Sequence, residues 1–221
     1  MPALYSKALQ AAAGTLAAGR EERVDTFAGD LSSTAVIREA HRQAIARWGG
    51  VDILVCNVGS GTGRSGFELT AGDWSSVFEA NLWISVRLVE VFLPAMVEAK
   101  KGAILFVSSI AGLESLGAPL PYSAAKAALE KYSKDLSRQV AAHGIRVNTI
   151  APGNILFAGG TWQRKLDADS AKVTSMIARE VPLARFGEPC EIGAAAAFLA
   201  SDRAAFVTGA CLVADGGQTC A

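Results

Sequence analysis

Tyr122 and Lys126 lie four positions apart in the sequence, which is the spacing at which two side chains share one face of a helix. A phenol titrates near pH ~10 when free, and a cation held ~4 Å away at an effective dielectric constant near 20 favours the phenolate by about 4 kcal/mol. Such a cation lowers the pKa of a phenol by up to roughly three units. We therefore expect Tyr122 to exchange a proton with a carbonyl or an alcohol. The alternative is two residues on a solvated helix face.

The composition favours one soluble enzyme-sized domain. The chain has 221 residues, 51% of them hydrophobic, and no formal net charge at pH 7. This length suits a single domain over residues 1–221. The charge balance gives no electrostatic reason to expect a nucleic acid or a membrane as a partner. We find no signal peptide and no apolar run long enough to span a bilayer, so we expect a cytoplasmic protein.

Cysteine and histidine spacing excludes the usual metal and thiol chemistry. No metal site is expected, because neither residue type has the spacing of metal ligands or of a redox pair. The two histidines, His41 and His143, are far apart and are not expected to serve a nucleophile. The cysteines are expected to be reduced and mostly buried: Cys56, Cys190, Cys211 and Cys220.

Apolar strands alternate with helices along the whole chain. The predicted strands are 24–29, 51–58, 102–107, 145–150 and 210–213. The predicted helices are 3–19, 33–48, 71–96, 122–143 and 189–200. This alternation predicts an α/β fold, with an open parallel sheet that helices cover on both faces. The mixed, polar segment 154–186 is expected to form a helical lid over a site.

Ligands of such sheets bind beyond the carboxyl ends of the strands. Asp30, the segment 57–59, Ser109 and the pair 152–153 all follow predicted strands. The helix that carries Tyr122 comes directly after the strand that ends at Ser109. Because these polar residues converge on one edge of the sheet, the pair Tyr122 and Lys126 is expected to be functional.

One glycine pattern does not have the context that its motif requires. Gly61, Gly63 and Gly66 fit the dinucleotide pattern G-x-G-x-x-G after a strand. That motif needs a helix to begin within the glycines, so that its amino end meets the pyrophosphate. Here the helix signal comes only at Thr70. We expect a flexible loop rather than a phosphate cradle.

With these residues in place, the chain resembles the short-chain dehydrogenase/reductase family from about residue 3 to residue 217. Tyr122 and Lys126 match the Tyr-x-x-x-Lys motif of the family. Ser109 lies thirteen residues before Tyr122, which is the family's spacing for its catalytic serine. Asn81 matches the fourth catalytic residue. The resemblance implies a Rossmann-like fold and an NAD- or NADP-dependent oxidoreductase.

The resemblance also implies a role for each matched residue. Tyr122 would be the general acid and base, and Lys126 would lower its pKa and hold the nicotinamide ribose. Ser109 would bond the substrate oxygen, and Asn81 would help a water relay the proton. Structural alternatives are a turn cap for Ser109, a backbone clamp for Asn81 and a helix N-cap for Asp30.

Further motifs resemble the cofactor contacts of the family. The segment 56–59 matches its Asn-Asn-Ala-Gly motif with Cys56 and Val58 as departures, and Asn57 is expected chiefly to tie neighbouring strands. Phe157 departs from the usual threonine that meets the nicotinamide carboxamide. The resemblance implies cofactor contacts by Asp30, Leu31, Asn57, Val58, Gly59, Tyr122, Lys126, Pro152, Gly153 and, through its backbone N–H, Ile155.

Family members begin with a strand, a glycine-rich turn, a helix and a second strand, and this chain resembles them only after that point. We therefore expect a Rossmann-like sheet in which the first βαβ part, with two strands and the pyrophosphate cradle, is missing. Three arrangements would account for the two missing strands. The natural protein could start further upstream, the strand 24–29 could pair directly with 51–58, or a partner chain could supply the missing strands. We predict the second outcome, a five-stranded sheet.

Three functions fit these observations. The first is an NAD(P)-dependent oxidoreductase that interconverts a secondary alcohol and a ketone. The second is a non-catalytic binding or scaffold protein of the same ancestry, and the third is an isomerase or dehydratase that uses only the acid–base pair. Trp162 either stacks on a polar substrate or packs the lid. Segments 82–97 and 126–140 resemble helices that pair subunits in family members, so a homodimer or homotetramer is expected.

Overall fold

The computed structural model describes residues 2–17, 19 and 21–220. These residues form two compact units, one ending at Gly49 and the other starting at Gly50. Residue 18, within the predicted helix 3–19, lies outside the described residues. The expectation of a single domain with a lid over 154–186 stays a prediction.

The first unit contains two helices and no strand among its described residues. Helix α1 spans Pro2–Ala17, a 3₁₀ turn spans Glu21–Arg23 and helix α2 spans Thr34–Trp48. Helix α2 ends as predicted, because Gly49 adopts a left-handed conformation with φ of 78°. The predicted strand 24–29 is wrong, since this segment joins no sheet. Its only bulky apolar side chains are Val24 and Phe27, too few for a strand buried on both faces.

The second unit holds a parallel sheet of four strands. Strand β1 spans Ile53–Cys56, β2 spans Gly102–Val107, β3 spans Ile145–Pro152 and β4 spans Cys211–Ala214. The spatial order is β1-β2-β3-β4, and every neighbouring pair is parallel. The five-stranded sheet with 24–29 beside 51–58 is therefore wrong. Strand β1 lies at the edge, where Ile53 and Val55 are 47% and 46% exposed.

Helices pack on both faces of this sheet, as predicted. Consecutive residues of a strand point to opposite faces. On β2, Leu105 packs with Ile150 and Leu199, and Leu199 belongs to helix α8, which spans Pro189–Ala200. The next residue, Phe106, makes an edge-to-face contact with Tyr132 of helix α5, which spans Leu120–Val140. Residues Leu105 and Phe106 are 1% and 0% exposed, so the core is closed on both sides.

A long helical segment precedes β2. Helix α3 (Ala71–Phe78) begins after the predicted helix signal at Thr70, which forms a capping box with Asp73. A π-helical turn (Glu79–Trp83) joins α3 to helix α4 (Ile84–Ala99). Together they form 29 residues that are long and apolar enough to cross a membrane. They meet that criterion by length and composition only, and a helix that packs in a protein core meets it as well. In this fold, α4 contacts β1 and β2, while α3 and the π-turn contact α5.

One arginine links the carboxyl end of helix α8 to β3 by hydrogen bonds. Arg146 of β3 donates hydrogen bonds to the backbone carbonyls of Leu199, Ala200 and Ser201, at 2.7, 3.1 and 3.0 Å. These carbonyls lie at or just beyond the last turn of α8, where a helix leaves its carbonyl groups without partners. The guanidinium therefore caps α8 and holds it against the sheet.

The cysteines differ from the expectation. Only Cys56 is buried, whereas Cys190, Cys211 and Cys220 are exposed, and all four are free thiols. Cys190 opens α8, Cys211 opens the edge strand β4, and Cys220 lies in the tail after β4, so none of the three sits in the core. Between β3 and α8, the predicted lid forms helices α6 (Thr161–Ala168) and α7 (Ser170–Glu180).

Candidate active site

Helix α5 places Tyr122 and Lys126 at the carboxyl end of β2. Lys126 is only 4% exposed, and its Nζ donates to the carbonyl oxygen of Val107 at 2.9 Å. The same Nζ lies 5.8 Å from the centroid of the Tyr122 ring. The predicted shared helix face is confirmed. An ammonium group has three donors, so two of them stay available for other acceptors.

Ser109 follows β2 and caps the 3₁₀ turn Ile110–Gly112, accepting a hydrogen bond from the Ala111 N–H at 3.2 Å. The alternative of a turn cap is therefore confirmed, and it leaves the hydroxyl proton free to be donated. A Cβ on Gly112 would lie 2.8 Å from the backbone nitrogen of Ala127. Glycine at this position therefore lets the turn pack directly against the backbone of α5. This packing places Ser109 close to Tyr122.

The pKa of Tyr122 differs from the expectation. Burial raises the pKa of this phenol above its usual value, and a hydrogen bond with the Ser109 hydroxyl acts in the opposite direction. The expected lowering by Lys126 is absent in the protein alone. The lowering is absent because the Lys126 ammonium donates to the Val107 carbonyl and because burial disfavours the charged phenolate. Burial also lowers the pKa of Lys126 to about 8.

The π-helical turn presents Asn81, which is fully buried. Its side-chain Nδ2 donates to the carbonyls of Val77 and Ser60 at 3.0 and 3.1 Å, and its Oδ1 accepts from the Ser60 N–H at 3.1 Å. The side chain thus clamps the loop after β1 to the long helix. The proposed alternative of a backbone clamp is confirmed, and a part in proton relay stays a prediction.

Gly59 brings that loop close to the other site residues. A Cβ on Gly59 would lie 2.8 Å from Oδ1 of Asn81 and 3.1 Å from Nζ of Lys126. The first distance is shorter than Cβ contacts allow and the second is tighter than most, so a side chain at position 59 would displace the ends of Asn81 and Lys126.

A cavity of about 160 Å³ joins most of these residues. Of the residues predicted from the sequence, it is lined by Asn57, Val58, Gly59, Asn81, Tyr122 and Lys126. Ser60, Gly61, Val107 and Ser108 complete the lining. Ser109 is the next residue after Ser108 and reaches the site through Tyr122.

The structure does not bring the remaining predicted cofactor residues into this cavity. Pro152 pairs with Ala214, and Gly153 packs on Asp215 at the ends of β3 and β4. Ile155 lines a second cavity of about 290 Å³ beside Leu183.

Asp30 and Leu31 belong to the first unit. There Oδ1 of Asp30 accepts the Ser32 N–H at 2.9 Å, in the turn before α2. The N-cap of α2 is Ser33, so the alternative of a helix N-cap for Asp30 is wrong, and the bond belongs to the turn before the helix.

Trp162 of α6 packs within the segment 154–186 rather than presenting a free ring. Its ring centroid lies 5.6 Å from that of Phe186, and Nζ of Lys165 lies 4.2 Å from the Trp162 centroid. The packing alternative is confirmed. Phe157, which is 53% exposed, folds against Gly160, where a Cβ would be 2.9 Å from the ring.

The site fits the reacting end of a nicotinamide cofactor. Lys126 offers donors for ribose hydroxyls, and the glycine at position 59 leaves room beside them. The cavity is smaller than the roughly 300–1,000 Å³ of sites that enclose a whole drug-sized ligand. Within residues 50–220, the loop that carries Gly61, Gly63 and Gly66 reaches a helix only at Ala71, so the expected loop is confirmed and no helix start meets a phosphate there.

Sequence analysis missed one charged residue near Lys126. Glu130 follows one turn later on α5, and its Oε1 is fully buried. Burial raises the pKa of Glu130, while Ser108, Cys211, Lys126 and Thr149 lower it. In return Glu130 raises the pKa of Lys126. The spacing of four residues on one helix was the available signal.

Known proteins share both the sequence and the fold. A family model described as enoyl-(acyl carrier protein) reductase matches residues 3–219. The 3-oxoacyl-[acyl-carrier-protein] reductase FabG of Chlamydia trachomatis is 36% identical over 215 residues, which are 97% of this chain and 84% of that protein. The Escherichia coli reductase of the same name is 36% identical over 86% of this chain and 75% of its own length.

Among solved structures, L-sorbose reductase from Gluconobacter frateurii, complexed with NADPH and L-sorbose, superposes with a TM-score of 0.88. It is 30% identical, and the match covers 96% of this chain and 83% of that one. The chain belongs to the short-chain dehydrogenase/reductase family. It is therefore an oxidoreductase with the expected Rossmann-like fold.

The buried Lys126 is expected to destabilise the fold. Its pKa is lowered to about 8, so below pH 8 the protonated side chain costs free energy, and this cost falls as the pH rises towards 10.5. Lys126→Met should raise the free energy of unfolding at pH 7 by about 1–2 kcal/mol, after the lost bond to Val107 is allowed for. Urea denaturation measures this change. Lys134→Met, at an exposed lysine that also donates to a carbonyl, is the control. A destabilised Lys126→Met protein would contradict the prediction.

Glu130 is expected to keep Lys126 protonated. Since its charge raises the pKa of Lys126, Glu130→Gln should lower that pKa below about 8. Nuclear magnetic resonance of ¹³C-methylated lysines measures it, with Lys126→Met assigning the signal. Asp135→Asn removes a carboxylate of the same helix that pairs with exposed Lys131 and should leave the titration unchanged. Equal shifts in both variants would argue against a specific effect of Glu130.

Proposed function

We propose that the protein is an NAD(P)-dependent oxidoreductase that interconverts a secondary alcohol and a ketone. The observation that carries the proposal is one cavity lined by Asn81, Tyr122 and Lys126, with Ser109 acting on Tyr122. Keeping a lysine buried where its charge is costly has no structural benefit that we can identify. A scaffold protein without turnover gives no reason for that cost.

Residues around the cavity would hold the reacting half of the cofactor. Lys126 would donate to the ribose hydroxyls, and the backbone of Val58 and Gly59 would line the nicotinamide side. The relatives support this choice, because the L-sorbose reductase structure contains NADPH. When bound, the nicotinamide supplies or accepts the hydride at the substrate carbon.

The side chains of the chain supply the proton. In ketone reduction, Tyr122 gives its phenolic proton to the carbonyl oxygen as that carbon gains a hydride. Ser109 donates a hydrogen bond to the same oxygen and stabilises the negative charge that develops there. Lys126 carries the positive charge that stabilises the transient phenolate. Alcohol oxidation runs through the same contacts in reverse.

The substrate class to test first follows from the relatives. Two relatives at 36% identity are 3-oxoacyl-[acyl-carrier-protein] reductases, so a 3-oxoacyl thioester is the first candidate ketone. L-sorbose and other polyols form the second group. In this chain the Trp162 ring packs on Phe186 and Lys165, so this ring is not presented for stacking on a sugar. Assembly as a homodimer or homotetramer, through segments 82–97 and 126–140, is part of the proposal.

Tyr122→Phe should reduce turnover of a responsive ketone by about 10²–10⁴-fold, because it removes the proton donor and keeps the ring. The effect is measured as the steady-state rate of NADH or NADPH oxidation with a 3-oxoacyl thioester or with L-sorbose as the ketone. Tyr132→Phe, at a tyrosine of the same helix that packs on Phe106, should keep full turnover. Turnover that survives Tyr122→Phe unchanged would reject the assignment of the acid.

Cofactor binding can be tested without a substrate. Calorimetric titration with NADH and with NADPH should detect binding, and Lys126→Met should weaken it about tenfold by removing a charged donor. The absence of heat with both cofactors at millimolar concentration would refute the proposed function. Gly59→Val offers a second variant, since its side chain would fill the space beside Lys126.

A further inference from the structure

An ion pair bridges the π-helical turn that carries Asn81. Arg87 of α4 donates from Nη1 to Oε1 and from Nη2 to Oε2 of Glu79, the latter at 2.9 Å. The contact is bidentate, and the side chains are only 26% and 35% exposed. Paired bonds between a guanidinium and a carboxylate fix geometry as well as charge. The pair is thus better defined than an ordinary surface ion pair.

The spacing of these residues depends on the π-turn. An α-helix turns by about 100° per residue, so eight residues leave two side chains about 80° apart around the axis. A π-turn adds one residue to a turn. Eight residues that cross it therefore correspond to about seven of a regular α-helix, which leaves an offset of only about 20°. Glu79 and Arg87 share a face, two turns apart, because the helix is widened between them.

The same widening orients Asn81. The N–H of Ile84 bonds to the carbonyl of Glu79, five residues back, which closes the π-turn. Within that turn, the Asn81 side chain points inward to bond Val77 and Ser60. If the segment returned to a regular α-helix, the residues before and after the turn would rotate against each other by about 100°. Asn81 would then lose its place beside Lys126.

We propose that Glu79 and Arg87 are positioning residues of the active site, whose ion pair stabilises the π-turn and so holds Asn81 at the cavity. This inference rests on the proposed function in one respect, the part of Asn81 in proton relay. Neither Glu79 nor Arg87 lines the cavity. They act through the helix rather than on a substrate.

The test is a double-mutant cycle on the full chain, with Glu79→Gln, Arg87→Gln and the combined variant. Each single variant should speed hydrogen exchange at the Ile84 amide and lower kcat by about threefold to tenfold, with little change in KM. The combined variant should do no more than either single one, because both remove the same contact. The Asn81 side-chain amide resonance, assigned by its loss in Asn81→Ser, should shift in all three.

The matched control is Glu90→Gln. Glu90 is an exposed acid on α4 that acts electrostatically on Arg87, but it lies on the same side of the π-turn as Arg87. Its removal should leave the Ile84 exchange rate, the Asn81 resonance and kcat unchanged. Arg87→Lys keeps the charge without the paired bonds and should give an intermediate effect. If the glutamine variants fold poorly, this milder variant can be measured in their place.

Two outcomes would overturn the proposal. In the first, the single variants lower the melting temperature, but the hydrogen-exchange rate of the Ile84 amide and the Asn81 resonance stay at their original values. The other is a combined variant whose losses are the sum of the single ones. The Asn81→Ser protein separates this question from the proposed function. Full turnover in Asn81→Ser would reject the relay role, whereas the exchange data would still decide whether the ion pair holds the π-turn.

Discussion

A buried ammonium group is the constraint around which the site is built. Lys126 is almost fully enclosed, and its bond to the carbonyl of Val107 fixes it where β2 leaves the sheet. Burying a charge is costly unless it finds hydrogen-bond partners, and the Val107 carbonyl is one. Two glycines let the backbone come close to this lysine: a Cβ on Gly59 would lie 3.1 Å from its Nζ, and a Cβ on Gly112 would lie 3.0 Å from its Cβ. Of the two, Gly59 lines the cavity.

The same constraint explains why the polar residues nearby depend on one another. Asn81 joins the loop of Gly59 to the long helix, and the charge of Glu130 raises the pKa of Lys126. The Tyr122 phenol has its pKa raised by the burial that lowers the pKa of Lys126. In the protein alone the proton therefore stays on the phenol. The site is arranged as a donor waiting for a charge to develop on the substrate.

Much of this arrangement follows from local sequence. The segment 102–107 is a continuous apolar run, which is typical of a parallel strand buried on both faces. The helix start at Thr70 and the helix end before Gly49 were also predicted, because each depends on only a few neighbouring residues. Tyr122 and Lys126 were found from helical spacing. Their meeting with Asn81 and Ser109 followed from the order of strand ends and from the family motifs.

Other features depend on distant contacts that local patterns do not carry. The segment 24–29 was predicted as a strand, yet a strand forms only where a neighbouring edge pairs with its backbone groups. The π-turn at Glu79–Trp83 was not predicted from apolar periodicity; it is defined by the bond of the Ile84 N–H to the Glu79 carbonyl. The phenol pKa was misjudged because spacing gives proximity but not burial. Exposure of Cys190, Cys211 and Cys220 likewise depends on which strand and helix ends remain open.

Arg146 has a consequence for the order in which the chain acquires its structure during synthesis. Its acceptors, the carbonyls of Leu199, Ala200 and Ser201, follow it by 53 to 55 residues. At ~5–20 residues per second, β3 waits on the order of 3–10 s on the ribosome before α8 and β4 can dock. Until then β3 has an unpaired edge and Arg146 lacks these three acceptors. The residues made after β3 thus complete the sheet at this edge.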